Sequence, residues 1–377
     1  MGSKASRNTS IEALRLVAVA GIAIFHVSVD LPSRLHRPTG IRAARCLPYS
    51  GALGFINLLG CWANEVFMMS GTSYPSAVRA LQNGSSAPDL ARKSLARLKK
   101  IVLPTLFYCA ACLLISMYVY PCPKSRYTRL AGLRWHRVYL GLRRLRIARP
   151  SDCVDTTANR QHKGPFVVAL LVLATFGINC YIAATVNGAA GVVLWRKLMS
   201  AVTYLVAFIA AGEMRFVLEY LGNASGSQKS KIVLIGLIAA TVTLELLLST
   251  NSQYDALWKL SYKSTSVISF ILAVASVAAA ALHQPRHEVP TADKTIVTLA
   301  AGTLAFYAVQ SFTCNVWRPI FDKAIYTMAT GIQTGEPRPA AAILLGILMS
   351  LCLALSLLLV DIVRRAVVAT IKAHMKG

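Results

Sequence analysis

The chain has 377 residues, of which 55% are hydrophobic and 15% are charged, and its formal net charge is +25 at pH 7. Apolar runs fill roughly half of that length, which excludes a sizeable soluble domain and indicates a polytopic membrane protein. No aromatic-basic module accompanies the positive charge, so we predict basic loops beside anionic headgroups and no nucleic-acid partner.

The apolar runs come in blocks that are long enough to cross a hydrocarbon core about 30 Å thick. They predict an all-α fold, a polytopic transmembrane helix bundle of about 9–10 spans. We expect a single membrane-embedded domain over residues 1–377. The blocks are 11–29, 51–71, 101–120, 165–186, 198–213, 232–250, 265–282, 295–314 and 340–362.

Lysine and arginine predict how these spans are oriented. The N-terminus and the connection 72–100 are basic, which predicts that both are cytoplasmic and that the first two spans form a hairpin. Nine spans that start inside would end outside, so one span is missing or miscounted. We expect a multi-pass protein of the cell (plasma) membrane. The C-terminus is also predicted to be cytoplasmic because of its cations, Arg364, Arg365, Lys372 and Lys376.

The segment 121–164 departs from this pattern. It carries eleven lysines and arginines against Asp152 and Asp155, although it follows the third span and should lie outside. Two interpretations stay open: a basic surface segment that binds an anionic polymer or lipid, or a stretch whose reading frame differs from the ancestral one. We treat it as an atypical basic connecting segment and build no mechanism on it.

Two polar side chains, Arg15 and His26, lie in the first block, LRLVAVAGIAIFHVSVD. Eleven residues of α-helix turn about 20° beyond three full turns and rise about 16 Å, so both side chains share one face. Charges in a span usually face the bundle interior, which makes the pair a functional candidate. The alternatives are that Arg15 reaches the headgroups and that His26 hydrogen-bonds another helix.

Two carboxylates stand at helical spacing from this pair. Asp30 follows His26 by four residues, so it can orient the imidazole for general-base chemistry, or it can cap the helix end. Glu12 precedes Arg15 by three residues and is predicted to be its local ion-pair partner.

Other polar residues lie within later blocks. Asn64 and Glu65 stand in WANEVFMMSG, which ends at Ser70 and Gly71, a pair that also permits close contact between helices. Glu245, in TVTLELLLS, is a further buried charge without an obvious partner. No metal cluster, phosphate-binding glycine loop or nucleophile elbow occurs in the sequence, so no metal cofactor is predicted.

The stretch RNTSIEALRLVAVAGIAIFH resembles the opening of the acyltransferase-3 family of integral membrane O-acyltransferases. That family places an arginine, ten residues and a histidine in the first span, and Arg15 and His26 match this spacing. ANEVFMMSG, with Asn64 and Ser70, is similar to the pattern that ends the second span of the family.

Two later segments extend the resemblance in the same order along the chain. RLKKIVLPTLFY is similar to the cytoplasmic R-x-x-R-I-x-P motif of the family, with Arg97 and Lys100 at the basic positions. LAAGTLAFYAVQSF is similar to a late span built around Tyr-x-x-His, with Tyr307 matching but Gln310 in place of the histidine. Lys100 replaces an arginine, and 121–164 replaces the mid-chain segment that carries a His-x-Trp-like motif and a span.

The resemblance implies a transferase that moves an acyl group, commonly acetyl, from cytoplasmic acyl-CoA to a hydroxyl of a cell-surface or lipid-linked carbohydrate. His26 is then the general base with Asp30 as its partner, while Arg15, Arg97 and Lys100 hold the phosphates of CoA. Membrane lipid surrounds the enzyme. The further site candidates are Glu12, Asn64, Ser70 and Tyr307.

A transporter or flippase, or a non-catalytic membrane partner, is the alternative interpretation. A transporter would also place a buried arginine, histidine and glutamate around a cavity. Transporters commonly show paired repeats and discontinuous helices, and the sequence predicts neither.

Overall fold

A computed structural model describes most of the helical chain. The predictions for Asp30, Arg97 and Lys100 lie outside the described residues, as do the connection 72–100 and most of 121–164. The described residues are 8–28, 47–70, 102–103, 106–108, 110–111, 114, 157–185, 189–221, 224–251, 265–283, 290–330 and 339–375.

Nearly all described residues are helical, which confirms the predicted all-α class. The helices are α1 (Thr9–Ser28), α2 (Leu47–Ser70), α3 (Thr157–Thr185), α4 (Ala189–Leu221), α5 (Ala224–Thr250), α6 (Val267–Leu282), α7 (Pro290–Ala300), α8 (Thr303–Phe312), α9 (Cys314–Thr330) and α10 (Pro339–His374).

Four helices of the described part are long and apolar enough to cross a membrane, which indicates a membrane protein. In the most apolar stretch of α1, 44% of the residues are buried inside the protein, whereas in that of α5 only 11% are buried. The outward side chains of α5 are apolar, as lipid contact requires, so α1 is an inner helix and α5 a peripheral one. The four stretches are Thr9–Ser28, Phe166–Thr185, Ser227–Thr250 and Ala340–His374.

The chain divides into two compact units. The first consists of Met1–Tyr74, Phe166–Tyr307 and Trp317–Gly377, and the second of Pro75–Pro165 and Ala308–Val316. In the first unit, α1 packs against α2, α6, α7 and α10, and α2 packs also against α4, α5 and α6. All residues argued from below belong to this first unit.

Helices α1 and α2 are antiparallel and very close, as the predicted hairpin requires. A Cβ atom added to Gly21 would lie 2.9 Å from the Cβ atom of Ala63, and one added to Gly60 would overlap the ring of Phe25. Small residues let helix backbones approach in this way, and the close packing replaces the hydrophobic driving force that lipid does not supply.

An apolar core surrounds this helix pair in the first unit. Val19 and Ile22 of α1 are 1% and 0% exposed, and they belong to one cluster with side chains of α2, α3, α4, α6, α8 and α10. The members from those six helices include Val66, Phe176, Ala207, Phe270, Phe306 and Leu358.

The apolar block 295–314, predicted as one span, does not form one continuous helix. Helix α7 ends at Ala300, and α8 begins at Thr303 after a turn in which the N–H of Gly302 donates to the carbonyl of Leu299 at 2.9 Å. A Cβ atom on Gly302 would lie 3.2 Å from Oδ2 of Asp361 in α10. Each half is about 15 Å long, half of a hydrocarbon core, so the sequence wrongly predicted that no discontinuous helix is present.

Replacement of Gly60 by alanine tests the close contact between α1 and α2. The added methyl group must displace the Phe25 ring, so we expect the free energy of unfolding to fall by about 1–3 kcal/mol, measured by thermal unfolding in detergent. Gly236→Ala in α5 is the matched control, because no atom lies within 4 Å of its added methyl group. Equal melting temperatures for the two variants would contradict the contact.

Candidate functional site

Asn8 determines where α1 begins. Its Oδ1 accepts hydrogen bonds from the N–H groups of Ser10 and Ile11 at 3.0 and 3.3 Å, which satisfies two otherwise unbonded donors of the first turn. Its Nδ2 donates to the carbonyl of Ala281 at 3.4 Å, so the start of α1 lies beside the end of α6. This contact sets the relative direction of the two helices.

Arg15 joins the start of α1 to the end of α2. Its Nη1 lies 3.0 Å from Oε2 of Glu12, which is the ion pair that the spacing predicted. Its Nε donates to Oγ of Ser70 at 3.2 Å, and its Nη2 donates to the carbonyl of the same residue. The side chain of Arg15 is 19% exposed, so water hydrates its guanidinium poorly. One carboxylate and two neutral acceptors bind the guanidinium instead.

A second group of charges lies where α7 and α8 meet α10. Asp361 is 1% exposed, and its Oδ1 lies 2.8 Å from Nη2 of Arg364 while its Oδ2 lies 2.7 Å from Nε of Arg365. Nη2 of Arg365 donates to the carbonyl of Thr298 at 2.8 Å. A cation thus meets the carbonyl end of α7, and the carboxylate lies beside Gly302 at the start of α8, as the helix dipoles favour.

Helix geometry places these two charged groups at one end of the bundle. A Cβ atom on Gly346 of α10 would contact Ser28 at the end of α1. Asp361 follows Gly346 by fifteen residues, or about 22 Å of helix, and α1 spans about the same length from Ser28 back to Glu12. We call this end, with Glu12, Arg15, Ser70, Asp361, Arg364 and Arg365, the charged end.

Tyr307 of α8 lies near the charged end. Its ring stacks on that of Phe67 in α2 with the centroids 5.4 Å apart and an interplanar angle of 8°. Phe67 lies one turn before Ser70 in α2, so the candidate Tyr307 packs on α2 one turn away from the candidate Ser70. Tyr307 is 37% exposed.

His26 lies at the other end of α1 and is half-buried. Its ring contacts that of Phe25 with centroids 5.4 Å apart. Because α1 is unbroken, Arg15 and His26 lie on one face, about 16 Å apart along the axis. Val19 and Ile22 lie between them on that face, and both are packed in the apolar core. We call the end of the bundle that contains His26 the histidine end.

Asn64 does not join either end. Its Nδ2 donates to the carbonyl of Gly60 at 2.8 Å, one turn earlier in the same helix, and its side chain is half-buried. Such a bond to the helix itself satisfies the amide within an apolar span. The role predicted for Asn64 stays a prediction.

The described structure shows buried polar groups that sequence reasoning did not single out. Asp361 lies at the end of the last apolar block of the sequence, and Ser269 is a small residue of α6. Glu65, noted in the sequence, is 0% exposed, and neither carboxylate oxygen has a hydrogen-bond partner. Within the described ranges, no three His, Cys, Asp or Glu side chains are grouped closely enough for a metal ion.

The chain matches no protein-family model, and comparisons with curated proteins and with solved structures also find no similar protein.

Removal of the Glu12 carboxylate tests the joint between α1 and α2. In Glu12→Gln the Arg15 guanidinium loses its carboxylate partner, and we expect the free energy of unfolding to fall by about 1–3 kcal/mol. The control is Lys231→Gln, which removes an exposed contact with His283 and should change stability little. If both variants unfold alike in detergent, Arg15 does not hold the two helices together.

The charged contacts at the α7–α8 break are tested by Asp361→Asn. Two guanidinium groups then lose their carboxylate, so we expect faster hydrogen exchange in the peptide 298–306 and a loss of about 3 kcal/mol of stability. Asp322→Asn is the matched control, since Asp322 pairs with Arg318 at 4.0 Å on an exposed surface. Unchanged exchange in Asp361→Asn would exclude this role.

Proposed function

We propose that the chain is a membrane O-acyltransferase that moves an acyl group, commonly acetyl, from cytoplasmic acyl-CoA to a hydroxyl of a cell-surface or lipid-linked carbohydrate. The observation that carries the proposal is the single unbroken helix α1, which holds Arg15 and His26 on one inward face. The order of the sequence motifs adds support, since the same helix opens the resemblance to the acyltransferase-3 family.

The charged end suits the phosphates of the donor. Three guanidinium groups face two carboxylates there, so the end keeps a positive charge for an anionic ligand. The bonds to Glu12 and Ser70 use four of the five N–H groups of the Arg15 guanidinium, and its side chain is partly exposed. The phosphate-binding roles of Arg97 and Lys100, which lie outside the described residues, stay predictions from the resemblance.

The histidine end suits the acceptor. A neutral His26 imidazole would take the proton of the acceptor hydroxyl while that oxygen attacks the thioester carbonyl. The carbon–sulfur bond then breaks, and the CoA thiolate leaves and takes up a proton. Asp30 would orient the imidazole through its other ring nitrogen. A pantetheine arm that extends from the charged end carries the thioester toward His26 without passage of CoA itself.

The packing of α1 places a condition on this reaction. Val19 and Ile22 fill the face between Arg15 and His26, so the arm requires either a movement of α1 or a route along other helices. Packed cores change between discrete arrangements rather than deforming continuously, which makes such an opening a defined conformational step.

Transport remains the second candidate, because one observation favours it. Transporters commonly build their sites from interrupted helices, and α7 and α8 are two half-length helices with charged side chains at the break. The break lies at the charged end and the proposed base lies at the other, so the two functions depend on different residues.

The proposal is tested by transfer of labelled acetyl from acetyl-CoA in membranes that contain the protein. We expect His26→Ala to lower the rate by about 100-fold or more, since general-base catalysis contributes that much. Arg15→Lys should raise the KM for acetyl-CoA, because lysine keeps the charge but loses the planar donors.

The control is His374→Ala, which changes an exposed histidine at the end of α10. Its rate should equal that of the unchanged protein, with equal membrane insertion of every variant. Normal transfer by His26→Ala would refute the mechanism. If the protein takes up a solute without acetyl-CoA, and Asp361→Asn abolishes this uptake, the transporter is favoured instead.

A further inference from the structure

Two buried polar groups outside the proposed catalytic residues lie at one depth on neighbouring helices. Glu245 of α5 is 1% exposed and Ser269 of α6 is 0% exposed. Neither Oε2 of Glu245 nor Oγ of Ser269 has a hydrogen-bond partner. A buried polar atom without a partner is costly, so two of them together indicate a place where a ligand supplies the missing bonds.

The register of α5 against α6 places the two groups side by side. Nζ of Lys231 lies 3.0 Å from Nδ1 of His283, so the start of α5 is beside the end of α6 and the helices are antiparallel. Glu245 follows Lys231 by fourteen residues, and Ser269 precedes His283 by fourteen. Both therefore lie about 21 Å along the helices from that contact.

Glu245 and Ser269 lie in the half of the bundle that contains His26. The end of α6 contacts Asn8, so the start of α6, with Ser269, points toward the histidine end. Nε1 of Trp62 in α2 donates to Oγ of Ser276 at 3.0 Å, and both helices run from the histidine end to the charged end. Ser269, seven residues before Ser276, is therefore about level with Phe55 of α2, which lies about 22 Å of helix from Ser70 at the charged end.

Helix α2 adds a third polar residue near this level. The antiparallel contacts of α1 and α2 pair Phe25 with Gly60, which places Asn57 beside the last turn of α1. Asn57 is 3% exposed, and α2 packs against both α5 and α6. A carboxyl, a hydroxyl and an amide thus enter the interior from three mutually packed helices.

The outer faces of these helices show that the polar groups are directed inward. In α5 the only described side chains classed as buried are Thr241 and Glu245, one turn apart, while Leu246 and Leu247 are 52% and 54% exposed. The helix turns its polar residues to the bundle and its leucines outward. A purely structural helix of this kind would bury leucines instead.

We propose that Glu245 and Ser269, with Asn57 beside them, form the binding site for the hydroxyl groups of the carbohydrate acceptor, next to His26. This inference rests on the proposed function. A carboxylate and a carbonyl oxygen accept hydrogen bonds from sugar hydroxyls, and the serine hydroxyl both donates and accepts. The site lies about 20 Å from the charged end, so acceptor and donor occupy separate sites.

The first experiment measures acceptor kinetics with methyl hexosides and methyl N-acetylhexosaminides as probes and labelled acetyl-CoA as donor. We expect Glu245→Gln and Ser269→Ala to raise the KM for the glycoside about tenfold, because each removes a buried hydrogen bond to it. The KM for acetyl-CoA and the kcat should change little.

Matched controls use the same substitutions elsewhere in the core. Glu65→Gln changes another buried carboxyl without a partner, and Ser276→Ala changes a serine two turns along α6 whose hydroxyl already bonds Trp62 and the carbonyl of Leu272. Neither control should alter the KM for the glycoside. An equal rise in all four variants, or no rise in Glu245→Gln, would overturn the proposal.

The second experiment is independent of catalysis. Intact membranes that contain Ser269→Cys are treated with a charged methanethiosulfonate reagent, with and without the same glycosides. The labelling of the unchanged chain is measured as the background. We expect labelling that the glycosides slow, and none of the lipid-facing Leu246→Cys. Such protection without any acetyl transfer would refute the proposed function but keep the sugar site. Absence of labelling, or protection by sodium ions alone, would overturn the site itself.

Discussion

The guanidinium of Arg15 is the group on which the arrangement of α1 and α2 depends. A cation at low exposure inside a membrane bundle is stable only with partners, and Glu12 and Ser70 supply them from two helices. The joint holds the start of α1 at the end of α2, while the contact of Gly60 with Phe25 brings the other ends together. The depth of His26 in the bundle follows from that alignment.

The charges around Asp361 also need partners, and they find them at a helix break. Asp361 and Arg365 lie at the two ends exposed by the break between α7 and α8, where backbone carbonyls and N–H groups lose their helical partners. Interruption of a helix and burial of charges on α10 therefore stabilise each other. Glu245 and Ser269 have atoms without such partners, as Glu65 does, but only these two lie level with each other on neighbouring helices, which is why we assign the ligand site to them.

Sequence periodicity predicted the local features well. The length of the apolar blocks predicted the helical class, the basic flanks predicted the antiparallel first pair, and helical spacing predicted the Glu12–Arg15 ion pair. The break at Gly302 was missed because the surrounding residues, LAAGTLAF, are apolar throughout and one glycine is a weak signal. Asp361, whose carboxylate lies beside Gly302 at the break, is distant in sequence.

The candidate site was predictable only in part for the same reason. Arg15 and His26 stand out because a span rarely contains them, and helix geometry alone places them on one face. Ser269 is common in helices and becomes notable only when the register of α5 and α6 brings it level with Glu245. The catalytic and donor-binding roles of these residues remain predictions.

In the proposed mechanism the two ends of α1 perform separate tasks, with donor binding at the charged end and proton transfer at the histidine end. The most direct test is the affinity of the purified protein for CoA, measured by titration calorimetry in lipid nanodiscs. The account predicts that His26→Ala binds CoA as tightly as the unchanged protein, whereas Arg15→Lys binds it more weakly. Equal loss of CoA affinity in both variants would contradict the division between the two ends.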